Sequence, residues 1–182
     1  MSPAFRSAAL AALALTASGS LATAQSAGGS ALADAFRKNE QRAERNLVAA
    51  AEAMPAGKYG FKPTPAQMTF GDVIHHLSAG NDFFCSKIGG VEAPKRSDLG
   101  KTAKKDALVA RLKETFEFCG TALGKLDDSK LGEKVPFFGG REVTRADAIV
   151  GAAEDWGDHY SQLAIYLRLN GQLPPTAKQK EE

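Results

Sequence analysis

Residues 144–171 read TRADAIVGAAEDWGDHYSQLAIYLRLNG, and this stretch decides the fold. Thr144 can accept from the free amides of a first helical turn, and Asp147, three positions on, supplies the returning carboxylate of a capping box. Gly171 is a helix stop, with Pro174-Pro175 beyond it. Between these marks Ala152, Trp156, His159, Leu163 and Tyr166 recur every three or four residues, which gives a long helix one face turned to a core.

Three further segments carry the same period. Thr69 with Asp72 forms a second capping box, opening a helix that runs to about Ile88 and stops at Gly89-Gly90. Upstream, a helix from Ala31 carries the stripe Leu32, Phe36, Ala43, Leu47, Ala50, Ala51 and Met54 until Pro55 and Gly57 end it, with Arg37, Lys38, Glu40, Arg42 and Glu44 on the remaining faces. Between the first two helices, Pro63 and Pro65 make Lys58–Gln67 a loop. A helix over roughly Ala103–Leu126 places Leu108, Leu112, Phe116, Cys119, Leu123 and Leu126 on one side. Between it and the last helix, Val135-Pro-Phe-Phe138 before Gly139-Gly140 reads as a short hairpin. Four helices of this length predict an all-α four-helix bundle. Residues 89–103 connect helices two and three and reach ~50 Å when extended, whereas a 20-residue helix is ~30 Å long. The long crossover can therefore leave those two helices parallel. Cys85 and Cys119 then lie at one height, as a disulfide or as two buried thiols; the spacing leaves both open.

The chain has 182 residues, 43% hydrophobic and 24% charged, with a formal net charge of +2. This balance fits one globular domain and excludes disordered, collagen-like and disulfide-scaffold classes. Two cysteines are too few for a framework, and a net charge this small gives no support for nucleic-acid binding, so no nucleic-acid partner is expected. Residues 1–24 carry Arg6, the apolar run Ala8–Ala17 and the small-x-small pattern Ala22-Thr23-Ala24, the layout of a secretory signal with cleavage expected before Gln25. The run is too short for a membrane span, which needs ~20 residues. The expected organisation is a signal peptide at 1–24, a flexible linker at 25–30, the bundle at 31–175 and a disordered polar tail at 176–182. The product is expected to be secreted or periplasmic.

The candidate chemistry lies with the histidines. His75 shares its face with Asp72, Ser78, Ala79 and Asp82 and is expected at an edge or in solvent. His76 shares its face with Val73, Ala79, Gly80 and Phe83 and is expected to point inward. On the last helix Asp155 and His159 are i and i+4, a spacing at which two ligands from one helix can close on one ion, with His76 as the third from a facing helix. The same residues also suit a hydrogen-bonded core pair beside an interior histidine.

The motifs MPAGKYGFKPTP (54–65), FGDVIHHL (70–77) and HYSQLAIYLRLNG (159–171) resemble the DinB/YfiT-like superfamily over nearly all of the chain that follows the leader. That resemblance implies a bundle in up-down-down-up order. It also implies a divalent metal, zinc or nickel in relatives, held by one histidine on helix two and an H-x-x-x-H pair on helix four. His76 matches the first position and His159 the last, while Asp155 stands at the middle position in place of histidine. A carboxylate there also admits iron or manganese. Glu154 and Asp158 lie about 100° around the helix from Asp155 and His159 respectively and are poorer ligands. Relatives include transferases that use a low-molecular-weight thiol. The expected function is therefore a metal-dependent transferase or hydrolase acting on a small molecule, with His75 and Tyr160 as wall residues of the pocket and Trp156 either a third wall residue or, the favoured reading, plain core. The alternative is a non-catalytic or degenerate periplasmic bundle that binds a metal or small ligand. Relatives often pair, so a homodimer is a further expectation, although no feature of the sequence locates its interface.

Overall fold

The computed structural model describes residues 30–100 and 103–178, so the expected signal segment, residues 25–29 of the linker and the last four residues of the tail lie outside it. Helix α1 spans Ala31–Ala53, α2 Phe70–Gly89, α3 Lys105–Leu123 and α4 Arg145–Leu169. Both expected capping boxes form. The hydroxyl of Thr69 accepts from the Asp72 amide and that of Thr144 from the Asp147 amide, while each aspartate returns the bond to the cap residue. Helix α2 ends as expected, because Gly90 takes a left-handed φ of 67° that a residue with a Cβ adopts reluctantly.

Pairs of opposed residues establish the order of the helices. Along α2 and α3, Asn81 bonds Thr115, Cys85 bonds Cys119 and Gly89 abuts Ala122, so both numbers rise together and the two helices are parallel. Along α2 and α4, His76 meets His159, Asn81 meets Trp156 and Gly151 abuts Phe84, so these run antiparallel. Arg37 near the start of α1 reaches the carbonyls of Leu123 and Leu126, and Lys105 at the start of α3 reaches those of Glu52 and Met54, so α1 and α3 are antiparallel too. The result is the up-down-down-up bundle. The crossover is pinned by Arg96, which bonds Asp82 on α2 and Glu114 on α3.

The cysteines form a disulfide with Cα atoms 5.1 Å apart, buried between the parallel helices. Two short strands, β1 (Lys134–Pro136) and β2 (Glu142–Thr144), pair antiparallel with Val135 opposite Val143 and deliver the chain into α4. Arg145 then spans from Glu133 to the carbonyls of Lys87 and Ile88, satisfying the end of α2.

Two details differ from the sequence reading, and one, the cap of α1, has no counterpart in it. Leu32, placed on the inner stripe of α1, is 44% exposed, whereas Glu40, placed outside, is buried. The buried line runs through Ala33, Phe36, Glu40 and Leu47 and is centred about 70° around the helix from Leu32. The start of α1 is capped from a distance: Asp128 accepts from the amides of Leu32 and Ala33 at 3.1 and 2.9 Å, while Ser30 makes no side-chain cap. Pro175–Lys178 forms a helical turn, α5, where a polar tail is expected from residue 176. No described helix is long and apolar enough to cross a membrane.

Candidate metal centre

The α2–α4 contact is built around a buried polar pin. Asn81 accepts from the indole N–H of Trp156 at 2.8 Å and donates to Thr115 at 3.1 Å, so its amide is satisfied on both sides. One turn from this pin, the two helices bring His76, Asp155 and His159 together, with one potential ligand atom from each lying within 4.8 Å of the others. Asp155 Oδ1 is 3.5 Å from His159 Nε2 and 4.0 Å from His76 Nε2, and the two imidazole rings meet edge to face at 4.9 Å. The face of α2 at this point is trimmed by Gly80. A Cβ there would lie 3.4 Å from Asp155 Oδ2.

His76 corrects one expectation. Its side chain is 52% exposed rather than interior, because Val73, Ile74 and Leu77 occupy the inward face of α2 and leave position 76 at the rim. The centre is therefore a site with a buried floor and an open edge: His159 side chain is 10% exposed and that of Asp155 19%.

Electrostatics single out Asp155. Its Oδ2 is buried with no hydrogen-bond partner. A buried carboxylate oxygen without a donor is costly, and a cation offsets that cost. The hydrogen bond to Asp155 holds the pKa of the His159 imidazole above its ordinary value, with burial opposing and Gln162 adding to the rise. The donor set of two imidazoles and one carboxylate suits a divalent transition metal. Asp155 Oδ1 and the two imidazole nitrogens beside it, with the unpartnered Oδ2 on the same carboxylate, thus fit such an ion.

Behind His159 runs a chain that the sequence reading missed. His159 Nδ1 lies 3.1 Å from Gln162 Oε1, Gln162 Nε2 donates to the Tyr166 hydroxyl at 3.0 Å, and that hydroxyl donates to the Met68 carbonyl at 3.0 Å. Positions 159, 162 and 166 share a helical face, so the spacing held a signal for the first two links. The third crosses 98 residues of sequence and had none.

Of the expected wall residues, His75 and Tyr160 lie elsewhere. His75 lines a cleft of about 480 Å³ with Tyr59, Thr69, Asp72 and Asp98. Trp156 is core. Tyr160 faces α1 and exchanges hydrogen bonds with Thr176 of α5 at 2.9 and 3.1 Å. Two turns along α2 from His76, Phe83 stacks on Phe138 at 3.8 Å beside Phe137, and Phe138 is half exposed.

With this fold and this His/Asp/His group in hand, similarity to known proteins is informative. The chain belongs to the DinB superfamily, whose profile matches residues 41–163. Similar solved structures include a DinB-like protein from Bacillus subtilis, at 20% identity and a TM-score of 0.62, covering 76% of this chain and 92% of that one. A DinB-like protein from Bacillus cereus aligns at 15% identity and a TM-score of 0.67, over 78% of this chain and 95% of its own. A histidine-to-alanine mutant of a mycothiol-dependent maleylpyruvate isomerase aligns at 13% identity and a TM-score of 0.60, over 72% of this chain and 60% of its own. At these identities the likeness is one of fold. No curated protein matches the sequence.

Proposed function

We propose that this is an exported member of the DinB superfamily in which His76, Asp155 and His159 hold a divalent metal ion that serves hydrolysis or group transfer on a small molecule. The observation that carries this reading is that Asp155, one of three donor residues drawn from two helices, holds a buried carboxylate oxygen with no partner. The carboxylate at position 155 widens the choice of ion from zinc and nickel to iron and manganese. Such an ion, when bound, lowers the pKa of a coordinated water or thiol and polarises a bound oxygen.

The chain's own residues supply the rest. His159 and Asp155 form the buried floor and resist displacement, whereas the exposed edge at His76 is the side from which a substrate can approach. Phe83 and Phe138 lie ~10 Å further along α2 and offer an apolar seat for a substituent. The structural relative that uses mycothiol makes a thiol co-substrate one option. The leader-like residues 1–24 and the Cys85–Cys119 disulfide both suit an oxidising compartment, where reduced small thiols are scarce, so hydrolysis is favoured over thiol transfer. Analysis of the exported product's N-terminus should give Gln25 as its first residue, and an intact leader would contradict export by cleavage.

Two observations favour a non-catalytic bundle as the second reading: the family's middle histidine is replaced by Asp155, and His76 lies at an open rim rather than in an enclosed cleft. A panel of ester, amide and phosphoester substrates separates the two. Catalysis requires turnover by the metal-loaded chain that falls to background on stripping the metal and in His76→Ala. Stoichiometric metal with no turnover on any of the panel supports the binding protein instead.

A further inference from the structure

We infer that Gln162 and Tyr166 are positioning residues that fix the tautomer of His159 and so commit its Nε2 to the centre. The inference follows from hydrogen-bond polarity. The Met68 carbonyl can only accept, so the Tyr166 hydroxyl, 3.0 Å away, must spend its single proton on it. The hydroxyl oxygen then presents only lone pairs to Gln162, whose amide must turn its NH₂ toward Tyr166, at 3.0 Å. That orientation aims Gln162 Oε1, an obligate acceptor, at His159 Nδ1, at 3.1 Å. Nδ1 must therefore carry the ring proton.

A neutral ring has one proton, so Nε2 is left with a bare lone pair facing Asp155 Oδ1 at 3.5 Å. In the neutral ring acceptor then faces acceptor, a repulsion that a metal cation relieves, as does a second proton on the ring. The chain thus turns an ambiguous histidine into a one-way donor of electron density toward the centre, anchored at its far end to the backbone just before α2. Tyr166 is fully buried, so its hydroxyl keeps this polarity without competition from bulk water. The consequence for ion affinity rests on the metal reading above; the tautomer does not.

The test is a long-range ¹H–¹⁵N correlation spectrum of metal-free protein with labelled histidine, recorded at alkaline pH where the imidazole is neutral. Wild-type His159 should show protonated Nδ1 and bare Nε2. Gln162→Leu should lose that single signature, Gln162→Glu should restore it because a carboxylate also accepts from Nδ1, and Tyr166→Phe should weaken it by freeing the Gln162 amide to turn. In a chelator competition, zinc affinity should fall 10–100-fold in Gln162→Leu and recover in Gln162→Glu. A role in packing alone would change the melting temperature and leave the tautomer untouched. A proton on Nε2 in the wild type, or an unchanged tautomer in a folded Gln162→Leu, overturns the inference. The stated tautomer pattern in a protein that binds none of zinc, nickel, iron or manganese leaves the positioning role standing and overturns the metal reading instead.

Discussion

Glu40 sits on the buried line of α1, and removal from water, reinforced by the nearby Glu44 charge, pushes its carboxyl pKa up to about 7 from 4.5. The folded chain therefore keeps a proton that the unfolded chain releases between those values. Stability from this residue is fully present below pH 4.5, declines as pH rises through the window, and stays at its lower level above about 7. Glu40→Gln should flatten that decline and raise stability at pH 8 by ~1–3 kcal/mol, read from denaturant midpoints of both chains across pH. Equal pH profiles for the two would contradict a buried, strained carboxylate. This residue also shows where the sequence misleads: a charged side chain reads as outward-facing, and only the three-dimensional register of α1 puts it in the core. Asp155 and His159 were legible because i and i+4 on one helix leave no freedom of placement. His76 was legible as a partner but not in its exposure, since neighbours at 73, 74 and 77 decide which side chain takes the inward face.

Among the elements, the parallel α2–α3 pair is the most tightly drawn. A Cβ on Gly89 would lie 2.5 Å from the Ala122 carbonyl oxygen, a backbone atom that can yield only by moving the helix. Gly89→Ala should therefore cost ~1–3 kcal/mol despite the better helix propensity of alanine. Gly120 is the control, because a Cβ there meets nothing within 4 Å and Gly120 is exposed. Gly120→Ala should stabilise α3 by ~0.5–1 kcal/mol. Thermal melts of the two variants should move in opposite directions. A neutral Gly89→Ala would mean that the helices are less closely packed than described. Helix starts at Thr69 and Thr144 were readable because both partners of a capping box lie within four residues. The cap on α1 was not, since Asp128 comes from almost a hundred residues away.

At the scale of the whole molecule, a loop long enough to traverse the bundle made the parallel order of α2 and α3 readable, and the observed disulfide resolved what spacing alone left open. That bond closes a segment of 34 residues. On chain-entropy grounds, replacing both cysteines by alanine should lower stability by ~3–4 kcal/mol, seen as an earlier denaturant midpoint with a steeper slope, because the unfolded chain expands without the cross-link. An unchanged midpoint would remove the disulfide from the forces that hold the bundle. The second layer of the centre was not readable as a whole, because a hydrogen-bond chain from α4 to Met68 exists only once α2 and α4 are packed together. All of the functional reading depends on an ion at the meeting point of α2 and α4. Elemental analysis of the purified, refilled and desalted chain, beside His76→Ala and Asp155→Asn, tests it most directly. One divalent ion per wild-type chain, lost from both folded variants, is the expected result. A wild-type chain that retains none of zinc, nickel, iron or manganese, or variants that hold the ion as well as wild type does, would contradict it.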